Sequence, residues 1–224
     1  MGTTDRPDET GGMDGADDVM PDAAGSLAEL LAGNQRFVLD DAAHPNQDVH
    51  RRATLTGGQR PFALIFGCAD SRVAAEIIFD QGLGDLFVVR TAGHAVDNAV
   101  LGSIEFGVDL LGIPLVIVLG HDGCGAVKAT MEAHDSGNMP SGYLRTVVEM
   151  LSSSVINARR AGHGDVNAIV AEHSVQVARE LPERSSVIGR RVADGRLAIV
   201  AMEYALSDGA VQVLSSTIAD PAPI

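Results

Sequence analysis

The sequence predicts an α/β fold: a mainly parallel central sheet of four to five strands with helices on both faces, an N-terminal helical arm and a C-terminal hairpin. Three observations predict it. Short unbroken apolar runs, FALIFGC at 62–68 and PLVIVLG at 114–120, suit strands buried on both faces. These runs alternate with stretches whose apolar residues recur at three- and four-residue spacing, the period of an amphipathic helix. Asp208-Gly209 then separates two late apolar runs, a hairpin-turn signal ahead of the last strand.

Taken in order, residues 1–25 read as an acidic, disordered tail. Asp5, Asp8, Glu9, Asp14, Asp17, Asp18 and Asp22 sit among glycines, with too little apolar surface to offset the entropy of ordering. Residues 26–224 read as one domain. Ser26 and Glu29 form an S-x-x-E capping box ahead of Leu27, Leu30, Leu31 and Phe37, which predicts a helix from Ser26 to near Asp41. A polar loop runs through Pro45, followed by a short helix over 49–56. Strand 62–68, a short helix over 73–79 and strand 85–91 come next. Asp97 is placed to cap a helix carrying Val100, Ile104, Val108 and Leu111. Strand 114–120 leads into a helix over 123–133. Leu144, Val147, Val148, Leu151 and Val155 mark a long amphipathic helix. Another runs over 166–181, is interrupted near Pro182 and continues to Ala193. A strand over 197–204 precedes the turn, and the last strand lies at about 211–214.

Charge excludes several roles. Sixteen Lys and Arg stand against 30 Asp and Glu, a net charge of −14. With Lys128 as the single lysine and only scattered arginines, there is no basic face for nucleic acid or for an anionic membrane surface. Apolar residues make up 46% of the chain, enough for a core. No apolar run reaches the length of a membrane span, and the N-terminus lacks the pattern of a secretory signal. Two cysteines cannot build a disulfide framework. The expectation is a soluble, cytoplasmic protein.

Those two cysteines carry the chemistry. Cys68 ends the first predicted strand, and Cys124 follows the third, with His121 three residues before it. Ligands of open α/β sheets bind outside the carboxyl ends of the strands, where strand order reverses. If the order begins 2-1-3, Cys68, His121 and Cys124 converge there. Two thiolates and an imidazole are a zinc-type set, and three protein ligands leave a fourth position open, as in catalytic zinc. On spacing alone two other readings stand: buried cysteines acting as small hydrophobes, and a Cys68–Cys124 disulfide. Around Cys68, the run Cys68-Ala69-Asp70-Ser71-Arg72 puts three functional side chains at spacing two. Asp70 is placed to accept a hydrogen bond from a metal-bound water, with Arg72 keeping it ionised; an ordinary salt bridge at a helix start is the competing account. No G-x-G-x-x-G follows the first strand and no G-K-[ST] occurs, which removes a nucleotide-binding reading.

At these residues the sequence resembles the β-class carbonic anhydrases. The resemblance rests on CADSR at 68–72 and HDGC at 121–124, each at a strand end. It extends through GQRP at 58–61, RVAAEIIFDQGLGDLFVVRTAGH at 72–94 and VLGHDGCGAV at 118–127. It implies that Cys68, His121 and Cys124 hold Zn2+ and that Asp70 and Arg72 are the catalytic dyad. It implies that Gln59, reaching in from a partner subunit, hydrogen-bonds substrate or product. Phe87 and Phe106 would line a narrow apolar pocket, Ala92 would form another part of its wall, and Gly125 would allow a close backbone approach. The implied reaction is reversible hydration of carbon dioxide to bicarbonate and a proton, by attack of zinc-bound hydroxide that the dyad orients. Zinc in carbonic anhydrases brings bound water to a pKa of about 7. Two anionic thiolates donate more charge than imidazoles, so activity here is expected to rise toward alkaline pH.

The resemblance further implies a homodimer or homotetramer, with the first helix wrapping the partner. Asp70 could serve as a fourth zinc ligand in a closed state. Relatives with an inhibitory bicarbonate pocket use a tryptophan in it, and this chain has none, so that pocket should be absent or altered. His94 reads as structural or solvent-exposed rather than as a proton carrier. Two alternatives use the same site: hydrolysis of carbonyl sulfide or carbon disulfide, and non-catalytic zinc or bicarbonate binding. Retention of both Asp70 and Arg72 argues against the last.

Overall fold

Five apolar segments extend and pair into one sheet in the computed structural model, which describes residues 20–218. They are β1 (Ala63–Cys68), β2 (Leu86–Thr91), β3 (Leu115–His121), β4 (Ala198–Tyr204) and β5 (Val211–Ser216), in spatial order β2-β1-β3-β4-β5. The first four are parallel and β5 pairs antiparallel with β4. The fold class predicted from the apolar runs is the observed one. β1 and β3 are buried at every position, whereas β2, at the sheet edge, is half-buried over most of its length.

Alternation of side chains along each strand divides the core in two. On one face Ile65, Ile117, Val200 and Met202 pack with Leu27 and Leu30 of α1 (Ala23–Val38) and with Ile78 of α3 (Ala75–Ile78). On the other, Leu64, Phe66, Val118 and Ile199 meet Val100 and Ile104 of α4 (Asn98–Glu105), Leu181 of α7 (Val166–Arg184) and Ile188 of α8 (Ser186–Ala193). A third cluster lies at the carboxyl end of the strands. There Val127 of α5 (Gly125–Ser136) and Leu151 and Val155 of α6 (Leu144–Arg160) pack around Cys68 and Cys124. A short helix, α2 (Val49–Thr54), lies between α1 and β1.

Several boundaries differ from the sequence expectation. The acidic residues from Asp5 to Asp18 lie outside the described residues, but Asp22 lies within them. Its side chain accepts from Gly25 N at 2.8 Å, so it, rather than Ser26, caps the first helix. Ser26 is instead buried, with no partner for its Oγ among the described residues. Asp97 does cap α4, accepting from Val100 N at 2.8 Å. Beyond α4 the backbone widens into a π-helical turn, Phe106–Leu110, which a constant helical period cannot anticipate. α7 carries Pro182 through its last turn and breaks at Ser185, which caps α8 by accepting from Ile188 N.

Buried polar side chains tie the elements together. Asn34 of α1 donates to the carbonyls of Ile78 and Gly209 at 3.1 and 2.8 Å and accepts from Val211 N at 3.0 Å. All three bonds cross to other elements, so they lock the arm onto the sheet and its hairpin. Asp80, with a side chain 1% exposed, pairs with Arg36 and accepts from Ala43 N and His44 N at 2.9 Å each. Burial raises its pKa, but these donors outweigh that and hold it below the usual carboxylate range. Asp80→Ala is therefore expected to cost about 1–3 kcal/mol in urea unfolding, because it removes the buried acceptor shared by Arg36 and two backbone N–H groups. Since the folded pKa is depressed, the Asp80 contribution is present above the unfolded value and lost as pH falls through the folded one. The difference between parent and variant should therefore shrink in acid.

Candidate metal centre

The strand order decides where the chemistry meets. β1 has β2 on one side and β3 on the other, so the chain reverses direction of winding at the β1–β3 boundary. Cys68 is the last residue of β1, His121 the last of β3, and Cys124 precedes the first turn of α5. All three are buried, and their ligand atoms lie within 4.8 Å of one another. The convergence predicted from a 2-1-3 order is what the fold shows. Both thiols are free, so the disulfide alternative does not hold.

Backbone contacts prepare each group. His121 Nδ1 lies 2.9 Å from the Asp122 carbonyl, which can only accept, so Nδ1 carries the proton and Nε2 presents a lone pair. Nε2 is buried with no partner among the described residues. An orphaned imidazole nitrogen facing two thiols is the donor set that zinc takes, and the residues fit such an ion. The His121–Cys124 turn is itself pinned. Asp122 Oδ1 accepts from Leu206 N at 3.0 Å, and Gly123, at φ 63°, donates its N–H to Asn167 Oδ1 at 2.9 Å.

Electrostatics within the trio favour one thiolate at once. The Cys124 S–H stabilises a Cys68 thiolate, overcoming burial, and His121 and the N–H of Gly93, 3.3 Å from Sγ, add to it. The same thiolate, together with burial, pushes the Cys124 thiol up. Burial works against a charged His121, but contact with Cys68 outweighs it and its pKa is raised. A metal ion would replace the protons that this cluster otherwise shares.

Beside the trio, Asp70 and Arg72 form a two-point ion pair. Arg72 Nε donates to Asp70 Oδ1 at 2.9 Å and Nη2 to Oδ2 at 2.7 Å, and the Arg72 N–H adds 3.0 Å to Oδ1. The guanidinium and that N–H hold the Asp70 carboxyl well below the usual range. Arg90, which the sequence reading did not single out, anchors this loop: its Nε donates to the Cys68 carbonyl at 2.8 Å and its Nη2 to the Asp70 carbonyl. A lone arginine in an edge strand carried no signal in the sequence; its register opposite Gly67 did the placing.

The pocket candidates are only partly together. Phe87 and Phe106 stack, with ring centroids 6.0 Å apart and 24° between planes. Ala92 opens a 3-10 turn, Ala92–His94, and is exposed. A Cβ built on Gly125 would meet nothing within 4 Å, so within one chain the expected close approach is missing there. Gln59 is exposed, in a surface cavity of about 550 Å3 lined also by Arg52, Leu55 and Leu83, which none of the three ligand candidates reaches. One chain thus does not bring Gln59 to the trio. His94 is fully buried, the structural of its two expected readings.

Comparison with known proteins agrees with this geometry. The family model described as carbonic anhydrase matches residues 63–211. The chain is 54% identical over 186 residues to the carbonic anhydrase of Mycolicibacterium smegmatis, covering 83% of this chain and 90% of that one. It is 56% identical over 180 residues to carbonic anhydrase 2 of Mycobacterium tuberculosis, covering 80% and 87%. The Coccomyxa β-carbonic anhydrase, solved with acetazolamide, superposes with a TM-score of 0.67 at 26% identity over 85% of this chain and 87% of that one. The chain belongs to the carbonic anhydrase family, in its β class, and is an enzyme of that family.

Proposed function

We propose that this enzyme catalyses the reversible hydration of carbon dioxide at a zinc ion held by Cys68, His121 and Cys124. The observation that carries the reading is the buried trio with its orphaned His121 Nε2, set beside an ionised Asp70. Zinc there supplies a Lewis acid that makes water nucleophilic near neutral pH. The Asp70 carboxylate accepts a hydrogen bond from the attacking oxygen and turns its lone pair toward carbon. Arg72 keeps Asp70 ionised and aimed. The stacked Phe87 and Phe106 offer an apolar wall suited to a linear, uncharged substrate; Phe87 pairs with Leu64, four residues before Cys68 on β1, so in this reading that wall serves a neighbouring subunit's site.

Gln59, exposed in its own chain and apart from the trio, would serve a neighbouring subunit's site, and a homodimer or homotetramer is the assembly proposed. No described helix is long and apolar enough to cross a membrane, and both cysteines are free, in keeping with a reducing, cytoplasmic setting. The test is stopped-flow hydration of carbon dioxide by zinc-loaded protein from about neutral to mildly alkaline pH. A rate that climbs with pH is expected. Zinc-loaded protein without hydration activity at any pH, but active on carbonyl sulfide or carbon disulfide, would overturn the substrate assignment.

A further inference from the structure

Among the apolar side chains behind the trio lies a buried imidazole, His173, on α7, only 3% exposed. Packing there does not require an imidazole; a leucine would fill similar space without the cost of burying two polar nitrogens. Both nitrogens are nevertheless paired. Nε2 lies 3.0 Å from the Gly93 carbonyl, an obligate acceptor, so Nε2 carries the proton and donates. Nδ1 then accepts from the Ser154 hydroxyl of α6 at 2.8 Å. His94 stacks on the ring at 4.2 Å between centroids and turns toward the edge of Phe66. Ring position and tautomer are therefore both fixed.

What His173 grips is a tightly confined glycine. Gly93 stands at φ 61°, and a Cβ there would lie 2.7 Å from Ala126 Cβ and 2.8 Å from Leu151 Cδ2. Its carbonyl is held by His173, and its N–H points to Cys68 Sγ at 3.3 Å. We propose that His173 is a positioning residue for the metal centre: by anchoring the Gly93 carbonyl it aims the Gly93 N–H at Cys68 Sγ and so sets the donor strength of that thiolate. An N–H bonded to a ligating sulfur withdraws charge from it, which leaves the metal more electrophilic and the ligand better ordered. Ser154 acts one step further out, fixing the His173 tautomer. The inference rests on the proposed metal site.

The test uses the full chain loaded with cadmium-113 or cobalt. In the parent, the Gly93 amide proton should show scalar coupling to cadmium across the N–H···S contact. His173→Gln, which keeps an amide N–H near the Nε2 position, should retain that coupling. His173→Asn, whose amide falls short of Gly93, should lose it, shift the thiolate-to-cobalt charge-transfer band and raise the metal Kd about 10- to 100-fold. His173→Asn with parent-like Kd and band would overturn the inference. So would a cadmium-loaded parent with no coupling to Gly93, a result that needs no variant to fold. A parent that takes up neither metal at Cys68, His121 and Cys124 would instead sink the metal site, and the inference with it.

Discussion

Cys124→Ser is expected to give a folded chain that neither holds stoichiometric zinc nor hydrates carbon dioxide. The exchange of sulfur for oxygen keeps volume and keeps a hydroxyl able to donate to Cys68, as the Cys124 thiol does. Cys124 is fully buried at the head of α5, so the helix and its packing on α6 have no reason to move. What changes is the donor set. Two protein ligands replace three, and a serine hydroxyl is a far poorer zinc ligand than a thiolate. The loss of affinity should exceed the about 10- to 100-fold typical of removing an outer hydrogen-bond partner. Metal content by mass spectrometry, read beside circular dichroism and hydration rate, checks this. Full zinc occupancy with parent-like turnover would remove Cys124 from the ligand set. In the parent, metal retention should weaken toward acid, because binding must expel the proton shared by Cys68 and Cys124.

Asp70→Asn is the second large effect. It should retain zinc and lower the hydration rate by about 10²- to 10⁴-fold, the range for loss of a positioned acid–base group. An asparagine cannot accept the two-point bond that Arg72 makes, and its amide can offer a donor where the reaction needs an acceptor. Arg72→Ala probes the same pair through pH. In the parent the Asp70 carboxyl lies well below its ordinary 3.8 and stays ionised across the working range. Without Arg72 its pKa should climb back toward that value, so an acid-side loss of activity appears at higher pH than in the parent. Stopped-flow rates followed down to about pH 3, through the range where a carboxylate of ordinary pKa titrates, compare the two. An Asp70→Asn enzyme with parent-like rates would leave the ion pair a structural feature only.

The strands were legible because an apolar run buried on both faces is written directly in residue order, and so were the caps at Asp97 and the hairpin at Asp208-Gly209. The first helix was misread at its start. Asp22 lies in a stretch whose composition resembles a tail, and only the docking of α1 through Leu27, Leu30 and Asn34 explains why order begins before Ser26. The π-helical turn at Phe106–Leu110 carries no periodic signal at all.

For the site, motif spacing made Cys68, Asp70, Arg72, His121 and Cys124 candidates, each motif being short and at the end of its own strand, and the family resemblance gave them their roles. Local sequence dictates that much. Whether the motifs meet depends on strand order, and the β2-β1-β3 arrangement is a property of the whole sheet. The same holds for the groups that tune the site. Arg90 reaches the Cys68 carbonyl through sheet register, and His173 reaches Gly93 across 80 residues of chain. A hydrogen bond between distant residues leaves no spacing to read, because its geometry exists only after burial has brought the helices onto the strands.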